Sequence, residues 1–321
     1  MFTPLVPPEI RHKALRATLL AALLACSPLL PSAAAWAKDE LPKEGVDVGN
    51  TSRLAKLVPA EQVERGAAQQ YQQMKQQAAQ QRALAPDNHP QVIRLRAIAQ
   101  KMLPFTSKWS DRAKAWQWEV NLINSKQINA FCMPGGKIAF YSGILDTLKM
   151  TDDEVAAVMG HEIAHALREH ARARMGKQAA ASVGVNIASQ VFGLGNLGHA
   201  ALGASANLLT LKFSRDDETE ADLVGLELMS RAGYDPRAGV TLWQKMQTAS
   251  KGAPPQWMST HPSSDSRIKE IQKHLPEVLP LYERAKKAQP AKPQTSGAAS
   301  SSSGAGAGTG GTADAAPATR R

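Results

Sequence analysis

The chain has 321 residues, 38 basic against 28 acidic, for a formal charge of +10. The excess is spread along the sequence with no basic stripe interleaved with aromatic residues, so nucleic acid is not an expected partner. Beyond the first segment the only cysteine is Cys132, which leaves no intramolecular disulfide; stability has to come from a core and any bound metal.

Arg11, His12, Lys13 and Arg16 precede a Leu- and Ala-rich run from Ala17 to Leu30, and Ala35-Trp36-Ala37 follows. A basic start, a short apolar stretch and an A-x-A end predict a secretory signal over residues 1–37 and hence a periplasmic protein. Leu23-Leu24-Ala25-Cys26 supplies the alternative, a lipoprotein anchored to a membrane through Cys26. Residues 38–287 are then the folded domain. Residues 288–321, almost devoid of large apolar side chains, are expected to be a disordered tail.

Within the domain, Ala60 to Arg82 consists of good helix formers and predicts a polar, exposed helix. Val92, Ile93, Leu95, Ile98, Ala99 and Met102 recur at helical spacing and predict a second, amphipathic helix from Pro90 to Met102. Trp116 to Ile123 and Ile138 to Tyr141 have strand composition, with Pro134-Gly135-Gly136 as a hairpin turn. Cys132, in an apolar strand-like stretch, is expected as a small core residue.

Thr151-Asp152-Asp153-Glu154 has the spacing of a capping box and opens a helix carrying His161-Glu162-Ile163-Ala164-His165. Residues four apart share a helix face, so His161 and His165 can present their nitrogens to one ion. Glu162 then stands where a general base can reach a water activated by that ion. Position 168 is Arg and 171 is Ala, so no third histidine continues the motif, and His170, five residues on, is expected at the surface. Ala179 to Leu211 is small and apolar but repeatedly interrupted, and reads as flexible packing or a lid. The missing ligand is sought in Asp216 to Asp222, where Glu218 and Asp222 share a face; one can bind the ion while the other orients a ligand imidazole. Spacing leaves Glu218 and Glu220 both open, and Asp216 and Asp217 suit the helix dipole. Further helices are predicted over Asp217–Arg231, Pro236–Ala249 and Asp265–Leu281.

Four motifs stand in order between about Val92 and Leu275: Asn129-Ala130-Phe131 with Pro134 to Ile138, the His161–His165 pentad, Glu218 to Asp222 with Gly225, and Thr260-His261-Pro262 through Ser266-Arg267-Ile268. Together they resemble peptidase family M48, the gluzincins that include the CAAX prenyl protease and HtpX, and within it the soluble, exported LoiP/BepA-like branch. The resemblance implies Glu218 as third ligand and Asp222 as partner of a ligand imidazole. It implies Asn129, Ala130 and Phe131 as a substrate-binding edge strand. His261 and Arg267 become catalytic residues beside the metal, stabilising a developing oxyanion, or for His261 capping the zinc in a latent state; a nearby cation or donor suits that charge.

The expected architecture is therefore α+β, mostly helical: a zincin-like metallopeptidase domain with a small sheet beside the zinc helix. One Zn2+ per chain is expected, and the expected activity is that of a metalloendopeptidase acting on unfolded or misassembled envelope proteins. Outer-membrane assembly machinery is a candidate partner. The alternative is a latent, zinc-bound chaperone or assembly factor.

Overall fold

A computed structural model describes residues 44–192, 208, 211–250, 255–262 and 265–288. The expected leader and the expected tail, apart from Ala288, lie outside the described residues. Helices α1 (Ala60–Gln80) and α2 (Pro90–Met102) form where helix-forming composition and apolar spacing, respectively, predict them. One departure concerns α1. Val63, Ala67, Tyr71 and Ala78 bury one stripe of it, and Tyr71 Oη donates to the Ile138 carbonyl at 2.5 Å. It is not an exposed polar rod: four small or aromatic residues among the glutamines suffice to dock it on the sheet.

Strands β1 (Glu119–Ile123), β2 (Ala130–Met133) and β3 (Lys137–Tyr141) form a sheet in the order β1-β3-β2. β1 runs parallel to β3 with Glu119 opposite Lys137, while β2 is antiparallel to β3 with Ala130 opposite Phe140. The turn between β2 and β3 uses Gly135 and Gly136 at φ of 84° and 78°, a left-handed backbone that glycine adopts without strain. A Cβ on Gly136 would also stand 2.7 Å from the Trp118 ring, so the turn is pressed onto that side chain. β1 starts after the tryptophans rather than at Trp116, because Trp116 and Trp118 pack against each other, with Trp118 Nε1 donating to the Ala113 carbonyl. The outer side of β1 is taken by Ala85, whose N–H donates to the Leu122 carbonyl. Among the described residues no strand pairs with the outer side of β2.

After the short α3 (Ser142–Thr147), helix α4 (Asp152–Leu167) begins with the predicted capping box, Thr151 and Glu154 each accepting the other's backbone N–H. Every residue from Glu154 to Leu167 is buried, so α4 is the axis of the domain. Burial of its apolar residues is ordinary; burial of His161, Glu162 and His165 among them is the informative feature. Helix α5 (His170–Phe192) takes up the first part of the segment expected as packing or a lid, and residues 193–207, 209 and 210 lie outside the described residues. Helix α6 (Arg215–Arg231) opens with a second capping box, Ser214 with Asp217. It is followed by α7 (Ala238–Ala249), the short α8 (Gln256–Thr260) and α9 (Asp265–Ala288). No helix of the described residues is long and apolar enough to cross a membrane.

Two glycines set how α4 and α6 cross. A Cβ on Gly160 would lie 2.8 Å from the Gly225 carbonyl oxygen, and one on Gly225 would lie 2.7 Å from the His161 nitrogen. The helices touch backbone to backbone. Changing Gly225 to Ala has no flexible side chain to displace, so the helices must part; a stability loss of about 1–3 kcal/mol is expected, measured as a lower urea midpoint with unchanged m-value.

Candidate metal centre

Backbone contact at the Gly160–Gly225 crossing brings one face of α4 against one face of α6. His161 and His165 point from α4 with Nε2 atoms 3.1 Å apart. Glu218 reaches from α6, its carboxylate oxygens 3.5 Å from His161 Nε2 and 3.6 Å from His165 Nε2. His261, at the end of α8, places Nδ1 3.2 Å from His161 Nε2 and 3.0 Å from Glu218 Oε1. Donor atoms of these four buried residues all lie within 4.8 Å of one another.

The hydrogen bonds behind the imidazoles say what these atoms want between them. Burial pushes the Asp222 carboxyl up, but Arg267 and His161 outweigh it and hold the pKa at about 2. Ionised Asp222 can only accept, so His161 Nδ1, 2.9 Å from its Oδ1, carries the hydrogen and leaves Nε2 bare. Burial among other basic groups holds His165 well below the usual imidazole range, neutral and free to ligate. Burial also raises Glu218, yet His261, His161 and Arg267 prevail and keep it low. Glu218 Oε2 has Arg267 Nη1 at 2.6 Å but accepts no well-aligned hydrogen bond. Lone pairs turned on one another at such distances repel unless a cation lies among them. Tetrahedral zinc with ligands at ~2.0–2.1 Å sets neighbouring donors ~3.3–3.4 Å apart, which the observed separations bracket. The donor set fits a divalent, nitrogen-preferring ion.

Glu162 follows His161 on α4 and lines a cleft with His165 and His261. Its Oε1 accepts from Trp257 Nε1 at 2.6 Å and stands 3.5 Å from His261 Nε2. Burial pulls His261 down, but the carboxylates of Glu162 and Glu218 outweigh it and raise its pKa. Asn129, Ala130 and Phe131 line a cleft with Glu162, His165, Phe213 and His261, so the free edge of β2 borders the cluster. Cys132 also lines that cleft; burial pushes its thiol well up, as befits a packing residue.

Arg267 reaches the cluster from α9. Its Nε and Nη2 fork onto Asp222 at 2.7 Å each, and its guanidinium sits 3.8 Å from the centre of the Trp243 ring. Two residues escape sequence reasoning. Trp257 precedes His261 by one helical turn and gave no periodic signal. His170, expected at the surface, is 3 % exposed with Nδ1 2.9 Å from His165 Nδ1. A bend at Glu169, φ 57°, turns the chain between α4 and α5 and swings the imidazole back.

A buried helix with two imidazoles and a carboxylate, met by a carboxylate from a crossing helix beside an open sheet edge, defines a zincin-like metallopeptidase domain. The chain belongs to Peptidase family M48, whose profile matches residues 91–275. Among its relatives is the mitochondrial metalloendopeptidase OMA1 of Schizosaccharomyces pombe, 38% identical over 198 residues that cover 61% of this chain and 56% of that protein. OMA1 of Saccharomyces cerevisiae is 30% identical over 217 residues, 64% of this chain and 62% of that protein. The beta-barrel assembly-enhancing protease of Escherichia coli K12 is 30% identical over 174 residues, 50% of this chain and 35% of that protein. The chain thus spans from about a third to three fifths of these relatives.

The mitochondrial relatives overturn the periplasmic expectation, and the Cys26-anchored alternative with it. A basic start followed by an apolar run is a composition that does not by itself name one destination.

Trp257→Phe leaves an aromatic, though smaller, ring against Trp243 and removes the N–H that donates to Glu162. A buried carboxylate oxygen without its donor costs ~1–3 kcal/mol, and chemical denaturation of the metal-free protein should show a loss in that range.

Proposed function

We propose that the chain is a zinc-dependent endopeptidase whose ion is held by His161, His165 and Glu218, with Glu162 as general base. The observation that carries this reading is the convergence of those three donor sets at tetrahedral spacing, with Glu162 and His165 both lining the cleft beside them. Zinc, when bound, polarises a scissile carbonyl and makes water a far stronger acid at neutral pH. Glu162 takes a proton from the attacking water as its oxygen bonds to the carbonyl carbon, then delivers that proton to the amine as the C–N bond breaks. Asp222, clamped by Arg267, holds His161 with Nε2 forward. Arg267 donates to Asp222 and the Pro262 carbonyl and forms an ion pair with Glu218, so it acts by positioning the ligands.

The outer edge of β2 and the preceding Asn129, unpaired among the described residues, let a substrate bind as an added strand through its backbone. Such binding requires an extended stretch of chain and tolerates many sequences, which favours unfolded or misassembled polypeptides as substrates. One relative is named for enhancing β-barrel assembly, and assembly machinery of that kind is the partner this reading carries forward.

A second reading has its own observation. His261 Nδ1 stands among the ligand atoms, within 3.0–3.2 Å of Glu218 and His161, where a hydrolytic site keeps its open position. A chain resting in that state is a latent, zinc-bound chaperone or assembly factor with little proteolysis.

Two substitutions separate these readings. Glu162→Gln should lower cleavage of unfolded casein by at least ~10²-fold while the protein retains one zinc by elemental analysis; full turnover would refute the base assignment. His261→Ala should raise the cleavage rate of the wild-type chain if the imidazole caps the ion. An unchanged low rate with client binding intact would favour the assembly-factor reading.

A further inference from the structure

Both ligand imidazoles of α4 are backed by a carboxylate of α6 that is itself paired with an arginine, but the two connections differ. His161 meets Asp222 directly, and Asp222 is forked by Arg267. His165 meets no carboxylate behind its ring. His170 stands between, with Nδ1 2.9 Å from His165 Nδ1 and Nε2 3.2 Å from Glu220 Oε2. The other oxygen of Glu220 accepts from Arg168 Nε, and Arg168 Nη2 donates to the Gly49 carbonyl at 2.9 Å. His165, Arg168 and His170 are each 5 % exposed or less.

We propose that His170 is a positioning residue for the metal site, holding His165 in the one tautomer and ring angle that can ligate. The inference rests on the zinc reading above. Glu220 accepts from His170 Nε2–H, so a neutral His170 has a bare Nδ1 that accepts His165 Nδ1–H. His165 Nε2 is then unprotonated and faces His161 and Glu218. Phe213 stacks on the His165 ring at 4.0 Å and 24°, which fixes its plane but leaves the half-turn flip about Cβ–Cγ that exchanges ring nitrogens with carbons. The hydrogen bond to His170 removes that remaining freedom. Without an acceptor there, His165 would either bury an unpaired N–H or move its proton to Nε2, where it cannot bind an ion. Glu220, which spacing left level with Glu218 as a ligand, acquires a distinct task in this arrangement: it sets the tautomer of the intermediate imidazole.

The test measures zinc affinity of the full chain by competition with a chelating dye, alongside the urea midpoint of the metal-free protein. His170→Phe fills the space without an acceptor and should weaken zinc binding by about 10- to 100-fold. His170→Asn puts an amide oxygen near the place of Nδ1 and should recover most of that loss; Glu220→Gln should give a smaller loss. Zinc bound by His170→Phe within two-fold of wild type overturns the proposal, and so does an Asn variant as weak as Phe, which would reduce His170 to packing. If the Phe variant does not fold, nitrogen-15 NMR of the zinc-loaded wild type decides: the expected protons sit on His165 Nδ1 and His170 Nε2, and a proton on His165 Nε2 overturns it. A wild-type chain that binds no zinc would instead overturn the functional reading beneath.

Discussion

The backbone contact between Gly160 and Gly225 is the constraint from which the site follows. Side chains one helical turn apart can share a target only if the facing helix comes close enough for a carboxylate to reach them. Glu218 lies seven residues before Gly225, Asp222 three, and His161 directly follows Gly160, so all three project from one crossing point. Any residue with a Cβ at that point pushes the helices apart and draws the carboxylates away from the imidazoles together. The crossing is therefore geometric and chemical at once.

Burying this many ionisable groups is costly unless charges alternate. They do. Imidazole, carboxylate and arginine succeed one another outward from the cluster on both sides, through Asp222 and Arg267 behind His161, and through His170, Glu220 and Arg168 behind His165. The cation–π contact of Arg267 with Trp243 and the Trp257 N–H on Glu162 complete the lining with groups that satisfy charge without admitting water. Each partner is held in one orientation because its own partner is held in one orientation. The local order of the site is inherited from residues that never reach the cleft.

Much of this was legible because it is written at short range. The 161/162/165 pattern, the Thr151–Glu154 capping box and the Gly135-Gly136 turn depend on residues within one turn of each other, and the elements form there. Glu218 and Asp222 were legible as a pair on α6, yet spacing alone left Glu218 and Glu220 level, because no local spacing encodes the helix crossing that brings Glu218 beside His161 and His165. His170 was misjudged because helical spacing was extended past Leu167, whereas the chain turns at Glu169 in a left-handed conformation and starts a new helix. The burial of α1 was missed because alanine and tyrosine carried the docking face among many glutamines. Compartment was the weakest inference: it drew on a leader's composition, which physical chemistry ties to export machinery in general more than to one membrane system.

The Gly135-Gly136 turn, wedged under Trp118, anchors β2 against slipping along β3. A strand that cannot shift register offers a ruler rather than a template. On the endopeptidase reading, a polypeptide laid along its outer side would meet the strand at every second residue, at intervals set by the peptide unit and not by side-chain identity.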